Sequence, residues 1–400
     1  MPSELAAHWS MRPGVRFLNH GSYGATPRAV LAAQDRWRAR MEEEPVEFLS
    51  RDAEGCLDAA RAELAAFIGA DSDDVAFVHN ATTGINAVIR WLPLQPGDEL
   101  LTTDHAYNAA KNVLEARAAE CGARVRYVSV PFPGVSDDDV AQVVLDAATP
   151  RTRLVLLDHV TSATALVLPV ARLVAELIAR GIDTLVDGAH APGMVELDVE
   201  AIGAAYYVGN CHKWLCGPKG TGFLHVRRDR QPSVRPLAIS HGANSQRSDR
   251  SRFRLEFDWT GTDDPSGYLA VPDAIRFGAS LLSGGWPALR HRNHQLAVAA
   301  RDLLCEALGV PPPAPDAMLG AMAAVPLPPS DDEARVQGVD LYGDAVHAAF
   351  LARGIQVMVT PWPQRPDGGP SRRLIRVSAA AYNDLDDMRA LADAARELVA

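Results

Sequence analysis

Two short polar segments follow two apolar runs of the sequence, and their residue types could do chemistry. The first run is followed by Asp187 and, three residues later, by His190. The second is followed by Asn210, His212 and Lys213, and then by a turn rich in glycine and proline. Short continuous apolar runs indicate buried strands, and open α/β sheets bind ligands beyond the carboxyl ends of their strands. We therefore expect these side chains to lie at one edge of a sheet.

An aspartate and a lysine at neighbouring strand ends suit the chemistry of pyridoxal 5′-phosphate (PLP). This cofactor needs a lysine that holds its aldehyde as an imine and a carboxylate that keeps its ring nitrogen protonated. The alternative interpretation is an ordinary surface turn carrying His212 and Lys213, which an isolated His-Lys pair would favour. Two strand-end segments in this order favour the cofactor site.

The same stretch resembles the class V branch of the fold-type I PLP enzymes. Its D-G-A-H and N-C-H-K segments match the D-x-A-[HQ] and [SN]-x-H-K elements of that family. The resemblance implies three catalytic residues: Lys213 bound to the cofactor aldehyde, Asp187 paired with the ring nitrogen, and His190 at the phenolic oxygen. It also implies that Asn210 and His212 contact the phosphate.

Length and composition limit the class of protein. A chain of 400 residues is too long for one compact core, so we expect two domains. The net charge of −11 argues against nucleic acid as the main partner. Five cysteines without paired short spacing favour a reducing compartment and no metal site. No apolar run has transmembrane length and the first residues lack a signal-peptide core, so we expect a cytoplasmic protein without membrane association.

Strand and helix patterns alternate over residues 75–223, which predicts a doubly wound, mostly parallel sheet. With the resemblance, this pattern implies an α/β fold-type I PLP-transferase. We predict an N-terminal arm over residues 1–25 that contributes to the active site. A large PLP-binding domain should cover residues 26–270, and a smaller α/β C-terminal domain residues 271–400.

Further segments resemble one class V subgroup, the isopenicillin-N-epimerase-like enzymes. They are N-H-G-S-Y-G near the N-terminus, D-H-A-Y, S-A-T-A-L-V-L-P, and R-V-S-x-x-x-Y-N near the C-terminus. Taken singly, each also fits a plain turn or a solvated edge strand. The resemblance implies that the substrate and its carboxylate contact these segments. The substrate-binding candidates are Asn19, Gly21, Ser22, Tyr23, His159, Ser162 and Arg376.

Four further positions are expected to bind the cofactor. Thr82 and Thr83 lie in a small-residue turn that opens a helix, where unpaired amides attract an anion. A threonine N-cap is the alternative interpretation for this turn. Tyr107 of the D-H-A-Y element would stack on the cofactor ring. The resemblance also implies that Thr262 reaches the phosphate of a neighbouring subunit, so we expect a homodimer with shared active sites.

The residues named so far do not decide the reaction. We favour C–S β-elimination, or a related reaction that removes the Cα proton, on the amino-acid moiety of a cysteine S-conjugate. Relatives in natural-product pathways, including lincosamide biosynthesis, do such chemistry. The alternatives are an isopenicillin-N-type epimerase, an aminotransferase, a cysteine desulfurase and a non-catalytic binding module. A desulfurase needs a mobile cysteine after the lysine, yet only Cys216 and Cys305 follow Lys213, and residues 328–340 contain none.

Overall fold

The computed structural model of the protein describes residues 3–328, 342–363 and 371–399, the last without its side chain. Within these ranges the strands are β1 Arg16–Phe17, β2 Val75–Val78, β3 Glu99–Thr103, β4 Arg124–Val128, β5 Thr152–Asp158, β6 Asp183–Gly188, β7 Tyr206–Asn210, β8 Gly222–Val226, β9 Met322–Pro326, β10 Ile355–Gln356, β11 Met358–Trp362 and β12 Arg372–Ser378. The α-helices are α1 His20–Tyr23, α2 Arg28–Glu43, α3 Pro45–Glu47, α4 Ala53–Ile68, α5 Ala81–Trp91, α6 Asn108–Cys121, α7 Asp137–Ala147, α8 Val170–Ala179, α9 Val199–Ile202, α10 Arg252–Phe257, α11 Ser266–Leu269, α12 Val271–Ser280, α13 Gly285–Leu308, α14 Ala345–Ala352 and α15 Leu385–Val399.

Seven strands form the large sheet, in the order β2-β8-β7-β6-β5-β3-β4. Strand β8 pairs antiparallel with both of its neighbours, whereas the other strand pairs of this sheet are parallel. Because parallel strands need crossover connections, helices alternate with strands along this part of the chain. The mostly parallel, doubly wound sheet predicted from the sequence is confirmed.

Both faces of the central strands β5, β6 and β7 are largely buried, which explains why these strands are nearly continuous apolar runs. Leu156 and Leu185 face one hydrophobic core, which includes α5 and α6. Leu157 and Val186, the next residue of each strand, face a second core that includes α7 and α8. Alternation along a strand thus divides each run between two helical layers.

A smaller three-stranded antiparallel sheet, in the order β11-β12-β9, forms the C-terminal unit. Its core contains Leu18, Phe350 and Ile375 together with apolar residues of α13 and α15. The N-terminal strand β1 pairs in parallel with β10, so the start of the chain is built into this unit. Trp286 and Leu289, at the beginning of α13, pack instead in a core of the large sheet. The domain boundaries given above remain predictions.

The N-terminal segment of residues 19–24 lies between the two units. Gly21 N–H donates to Ser378 Oγ of β12 at 3.1 Å, and Gly24 has a φ of +70°. A Cβ at Gly24 would lie 1.9 Å from the carbonyl oxygen of His212. This contact presses the segment directly against the backbone beside Lys213.

In the part of the chain that the structure describes, none of the helices could span a lipid bilayer. The same residues contain no group of three potential metal-ligating side chains.

We expect Gly24→Ala to destabilise the protein more than Gly14→Ala does. Both glycines have a positive φ, which costs an alanine about 1–2 kcal/mol. A Cβ at Gly14 meets no atom within 4 Å, so only Gly24→Ala adds a clash with backbone. The free energy of unfolding, measured in urea, should fall by about 1–3 kcal/mol more for Gly24→Ala. Equal losses would mean that the segment can move away from His212 without cost.

Candidate active site

Three adjacent strands of the large sheet end in polar residues at the same edge. Strands β5, β6 and β7 are neighbours, and Asp158 pairs in register with Asp187. Asn210 ends β7, and Lys213 follows three residues later. The carboxyl ends of these strands therefore bring two carboxyls, an amide and an amine together, where open α/β sheets bind their ligands.

The Lys213 amine lies 3.0 Å from Nε2 of His190. Burial, followed by the positive charge of Arg376, lowers the pKa of Lys213 from 10.5 to about 7, while Asp187 opposes this shift. At neutral pH a large share of the amine is therefore free base. An amine in this state can attack an aldehyde or accept a proton.

His190 is buried between the lysine and the N-terminal segment. Its Nε2 is also 2.9 Å from Gly21 O, and its Nδ1 is 3.3 Å from Val160 O. Burial and the nearby cations Lys213 and Arg376 lower the pKa of His190 well below its usual value. The ring is therefore neutral and has one N–H, so Nε2 either donates to Gly21 O or accepts from Lys213.

Asp187 and Asp158 form a pair of buried carboxyls. One Asp187 oxygen accepts the Ala189 N–H at 3.0 Å. Burial raises the pKa of both groups, and the charge of Asp187 raises that of Asp158 further. Oδ2 of Asp158 is buried and has no hydrogen-bond partner among the described residues. Because two adjacent buried carboxylates repel each other, ionisation of Asp187 opposite a cation favours the protonated form of Asp158.

Asp158 is a residue of this site that was not predicted from the sequence. It follows an apolar run and lies at the end of its strand, as Asp187 does in the neighbouring strand, and this position could have identified it.

Arg376 on β12 faces the large sheet from the smaller unit and is 2% exposed. Its guanidinium donates to Ser162 O at 2.7 Å, to Asn19 Oδ1 at 3.1 Å and to Ser22 Oγ at 2.9 Å. Burial lowers its pKa to about 10. Its Nε–H has no partner among the described residues. The structure thus brings four of the predicted substrate-binding residues together, with Asn19, Ser22 and Ser162 arranged around the cation.

The first turn of α5 offers an anion site beside Asn210. Asn80 caps the helix by accepting from both N–H and Oγ–H of Thr83, at 2.9 and 3.1 Å. Asn210 Oδ1 accepts from Ala81 N–H at 2.8 Å, which directs its amide NH₂ elsewhere. Among the described residues, no hydrogen bond engages the backbone N–H of Thr82. Thr82 is therefore better placed than Thr83 to meet a phosphate.

His212 is the next side chain toward this turn. Its Nδ1 donates to Thr221 O at 2.9 Å, and burial lowers its pKa to about 4. An anion beside Nε2 would favour the protonated ring and so oppose that shift.

Two partly exposed tyrosines, Tyr107 and Tyr23, lie at the solvent side of the site. Tyr107 is 41% exposed, and its pKa is raised by burial and by the charge of Asp187, with Arg376 opposing. Its phenol therefore lies within electrostatic range of both charged groups. Tyr23 is 55% exposed and its ring lies 6.3 Å from that of Tyr342. His105, by contrast, is buried and bonded to Thr164 Oγ1 at 2.7 Å.

Two predicted site residues are not brought into this group. Nδ1 of His159 contacts the Tyr207 hydroxyl at 2.8 Å, on the other side of the sheet from Asp187. Thr262 lies in an exposed turn of residues 260–263. Their roles remain predictions.

The residues present fit PLP. A buried amine with a lowered pKa, a buried carboxylate and a helix start with an unengaged amide supply the three partners that this cofactor requires. The Asp187 carboxylate accepts one backbone hydrogen bond, from Ala189 N–H. A protonated ring nitrogen would provide the further partner that offsets the cost of burying its charge.

A scan against protein-family models matches residues 23–391 to aminotransferase class-V. The chain belongs to this family. It is a PLP-dependent enzyme with the α/β fold-type I architecture, as the resemblance implied. The non-catalytic module considered above therefore does not apply.

Relatives within this family carry two kinds of name. The chain is 38% identical to an isopenicillin N epimerase from Amycolatopsis lactamdurans over 97% of its own length and 96% of that protein. It is 32% identical to putative L-cysteine desulfhydrase 1 from Oryza sativa subsp. japonica, over 97% and 84% of the two chains. The apo cysteine desulfurase of Thermococcus onnurineus NA1 superposes with a TM-score of 0.80 at 21% identity, over 100% and 98% of the chains. This last similarity concerns the fold alone.

We expect Lys213→Met to stabilise the protein without cofactor, and to do so most at low pH. The pKa of Lys213 is about 7 in the folded protein and 10.5 ordinarily. Between pH 7 and pH 10.5 the amine is therefore mostly protonated in the unfolded chain and mostly neutral in the folded one. The penalty for burying the amine is thus complete below pH 7 and disappears as pH rises toward 10.5. The free energy of unfolding should increase by about 1–3 kcal/mol at pH 6, and by clearly less at pH 9. A gain that is equal at both pH values would contradict burial of an uncharged amine.

Proposed function

We propose that this enzyme cleaves the C–S bond of a cysteine-derived amino acid by β-elimination. The overall reaction converts R–S–CH₂–CH(NH₃⁺)–COO⁻ and water to R–SH, pyruvate and NH₄⁺. One observation carries the proposal: burial and the charge of Arg376 lower the pKa of the Lys213 amine to about 7. It is flanked by a buried cation and a buried carboxylate, Arg376 and Asp187.

When bound, PLP supplies an aldehyde for the substrate amino group and a ring that accepts electrons from Cα. The protein holds the reactants around it. Arg376 binds the substrate carboxylate through charge-assisted hydrogen bonds, which are worth about 1.5–3 kcal/mol each. Asn19, Ser22 and Ser162 fix the guanidinium, so less entropy is lost when the carboxylate binds.

Lys213 is the proposed base that removes the Cα proton. The protonated amine is then stabilised by Asp187 and by the lone pair of His190 Nε2, 3.0 Å away. The C–S bond breaks with its electron pair on sulfur, and the protonated lysine can return a proton to the thiolate. One side chain thus serves as base and acid in turn.

A single base favours elimination over epimerisation. An epimerase removes a proton from one face of Cα and returns it to the other, which requires two groups of suitable pKa. Burial lowers the pKa of His20 and His212, near Lys213, to about 4, and that of His159, outside this group, to about the same value. The pKa of Tyr107 is raised. None of these four side chains matches the basicity of Lys213.

Epimerisation is the second candidate because the Amycolatopsis epimerase is 38% identical over nearly the whole chain. Tyr107 would then be the acid that returns the proton. Transamination shares the first proton transfer and is an outcome of the same test.

A cysteine desulfurase is less well supported. Burial raises the pKa of Cys216 to about 12 and that of Cys305 to about 11, so neither is a ready nucleophile. The segment in which a desulfurase of this family would carry such a cysteine, residues 329–340, lies outside the described ranges and contains no cysteine.

We further propose a homodimer in which Thr262 completes the phosphate site of the partner. Exposure of the turn at residues 260–263 supports this, as does its position beside His79, whose Nε2 is 3.5 Å from Asp263. Sedimentation equilibrium of the enzyme would test it. We also propose that the enzyme works in a reducing compartment, since all five cysteines are free. A thioether from a natural-product pathway is one proposed class of substrate.

The reaction is tested by incubating the enzyme with cysteine and an S-alkyl cysteine in D₂O. We expect thiol and pyruvate in equal amounts. Deuterium at Cα of recovered, inverted amino acid would instead identify an epimerase, and a keto acid that retains sulfur would identify an aminotransferase. Lys213→Ala should lose the visible absorption band of the attached cofactor and reduce turnover by at least about 10³-fold. If that band persisted, another amine would hold the cofactor.

Arg376→Ala should raise KM by about 10- to 100-fold for a substrate with a free carboxylate. Loss of the cation removes binding that is present in both ground and transition states, so kcat should change less. The methyl ester of the same substrate should discriminate little between the two enzymes. An unchanged KM for the free acid would place the carboxylate elsewhere.

A further inference from the structure

His20 connects the backbone of Lys213 with the smaller unit, and nothing described so far uses it. Its Nε2 lies 2.9 Å from Lys213 O, and its Nδ1 lies 2.7 Å from the hydroxyl of Tyr382. The ring is 1% exposed and packs on Trp214, with 4.8 Å between ring centroids. Tyr382 follows β12, the strand that carries Arg376.

The two contacts determine the tautomer. A carbonyl oxygen only accepts, so Nε2 carries the hydrogen and donates it to Lys213 O. Nδ1 is then an acceptor, and the Tyr382 hydroxyl donates to it. Burial lowers the pKa of His20 to about 4 and raises that of Tyr382 well above its usual value, so both groups keep these states at neutral pH.

We propose that His20 is a positioning residue that fixes the Lys213 backbone relative to the carboxylate site at Arg376. The chain Lys213 O–His20–Tyr382 links the lysine to one end of the smaller unit. Asn19 and Ser22, on either side of His20, bond to Arg376 itself. The distance between base and bound carboxylate is therefore set through one short segment.

This inference rests on the proposed role of Lys213 as the base. Cα is attached to the carboxylate, so any shift of Lys213 relative to Arg376 misplaces the amine against the proton that it removes. Misplacement of about 1 Å can cost 10²-fold in rate. Ground-state binding at Arg376 should change little, because the hydrogen bonds of that guanidinium go to Asn19, Ser22 and Ser162 and not to His20.

Two substitutions separate the contacts of His20. The amide nitrogen of Gln reaches the position of Nε2, so His20→Gln keeps a donor for Lys213 O. The shorter amide of His20→Asn reaches the position of Nδ1 and leaves Lys213 O unbonded. We expect His20→Asn to lower kcat by about 10- to 100-fold with KM changed less than about threefold. His20→Gln should stay within about fivefold of wild type.

The bound cofactor gives a second readout. In His20→Asn the pH midpoint of its visible absorption change should move, because the attached lysine is displaced, whereas His20→Gln and wild type should agree. His225→Asn is the matched control, since His225 is a buried histidine at the opposite edge of the sheet, near Asp74. It should change neither kcat nor the absorption midpoint.

Tyr382→Phe keeps the ring packing and tests the other end of the link. Like His20→Gln, it keeps a donor to Lys213 O and loses the bond to the Tyr382 hydroxyl, so it should lower kcat by less than about fivefold, and its effect should be less than additive with that of His20→Asn, because both break one chain of contacts. Equal kcat values for His20→Asn and His20→Gln, or a change confined to KM, would overturn the inference. An active, cofactor-binding Lys213→Ala would instead overturn the proposed function.

Discussion

The site depends on one costly arrangement, the burial of the Lys213 amine beside the Arg376 guanidinium. Two cations in a poorly hydrated space repel each other, so the lysine gives up its proton and becomes a base near neutral pH. The arginine cannot do the same, and its charge is held by three oxygen acceptors. Asp187 limits the effect, since it draws the amine back toward the charged form. The reactivity of the lysine thus depends first on burial of its amine and then on the balance between one cation and one carboxylate.

Two structural units must meet to create that balance. The parallel sheet collects Asp187, Asn210 and Lys213 at one edge, because neighbouring strands end there. The arginine comes from the antiparallel sheet of the other unit. Between them lies the N-terminal segment of residues 19–24, in which successive residues contact Arg376, Lys213 and His190. Because its polar contacts are directional, the N-terminal segment fixes the distance between Arg376 and Lys213 more closely than apolar packing would.

Pattern and resemblance together predict the sheet and its charged edge, because a strand that is buried on both faces ends where polar residues begin. They do not predict which partner each polar atom takes. Thr83 is engaged by Asn80, an N-cap that only the helix geometry identifies. Asn19 and Ser22 hold Arg376, which depends on docking between distant parts of the chain. Asp158 becomes important only through its register with Asp187, and register is a property of the folded sheet.

The pairing of β1 with β10 has a consequence for how the enzyme is made. Arg16 and Phe17 find their partners at Ile355 and Gln356, so nearly the whole chain must leave the ribosome before the first strand can pair. The large sheet with its lysine is complete much earlier in synthesis. The N-terminal segment can therefore take its place beside Lys213 only after residues 355–356 have been synthesised.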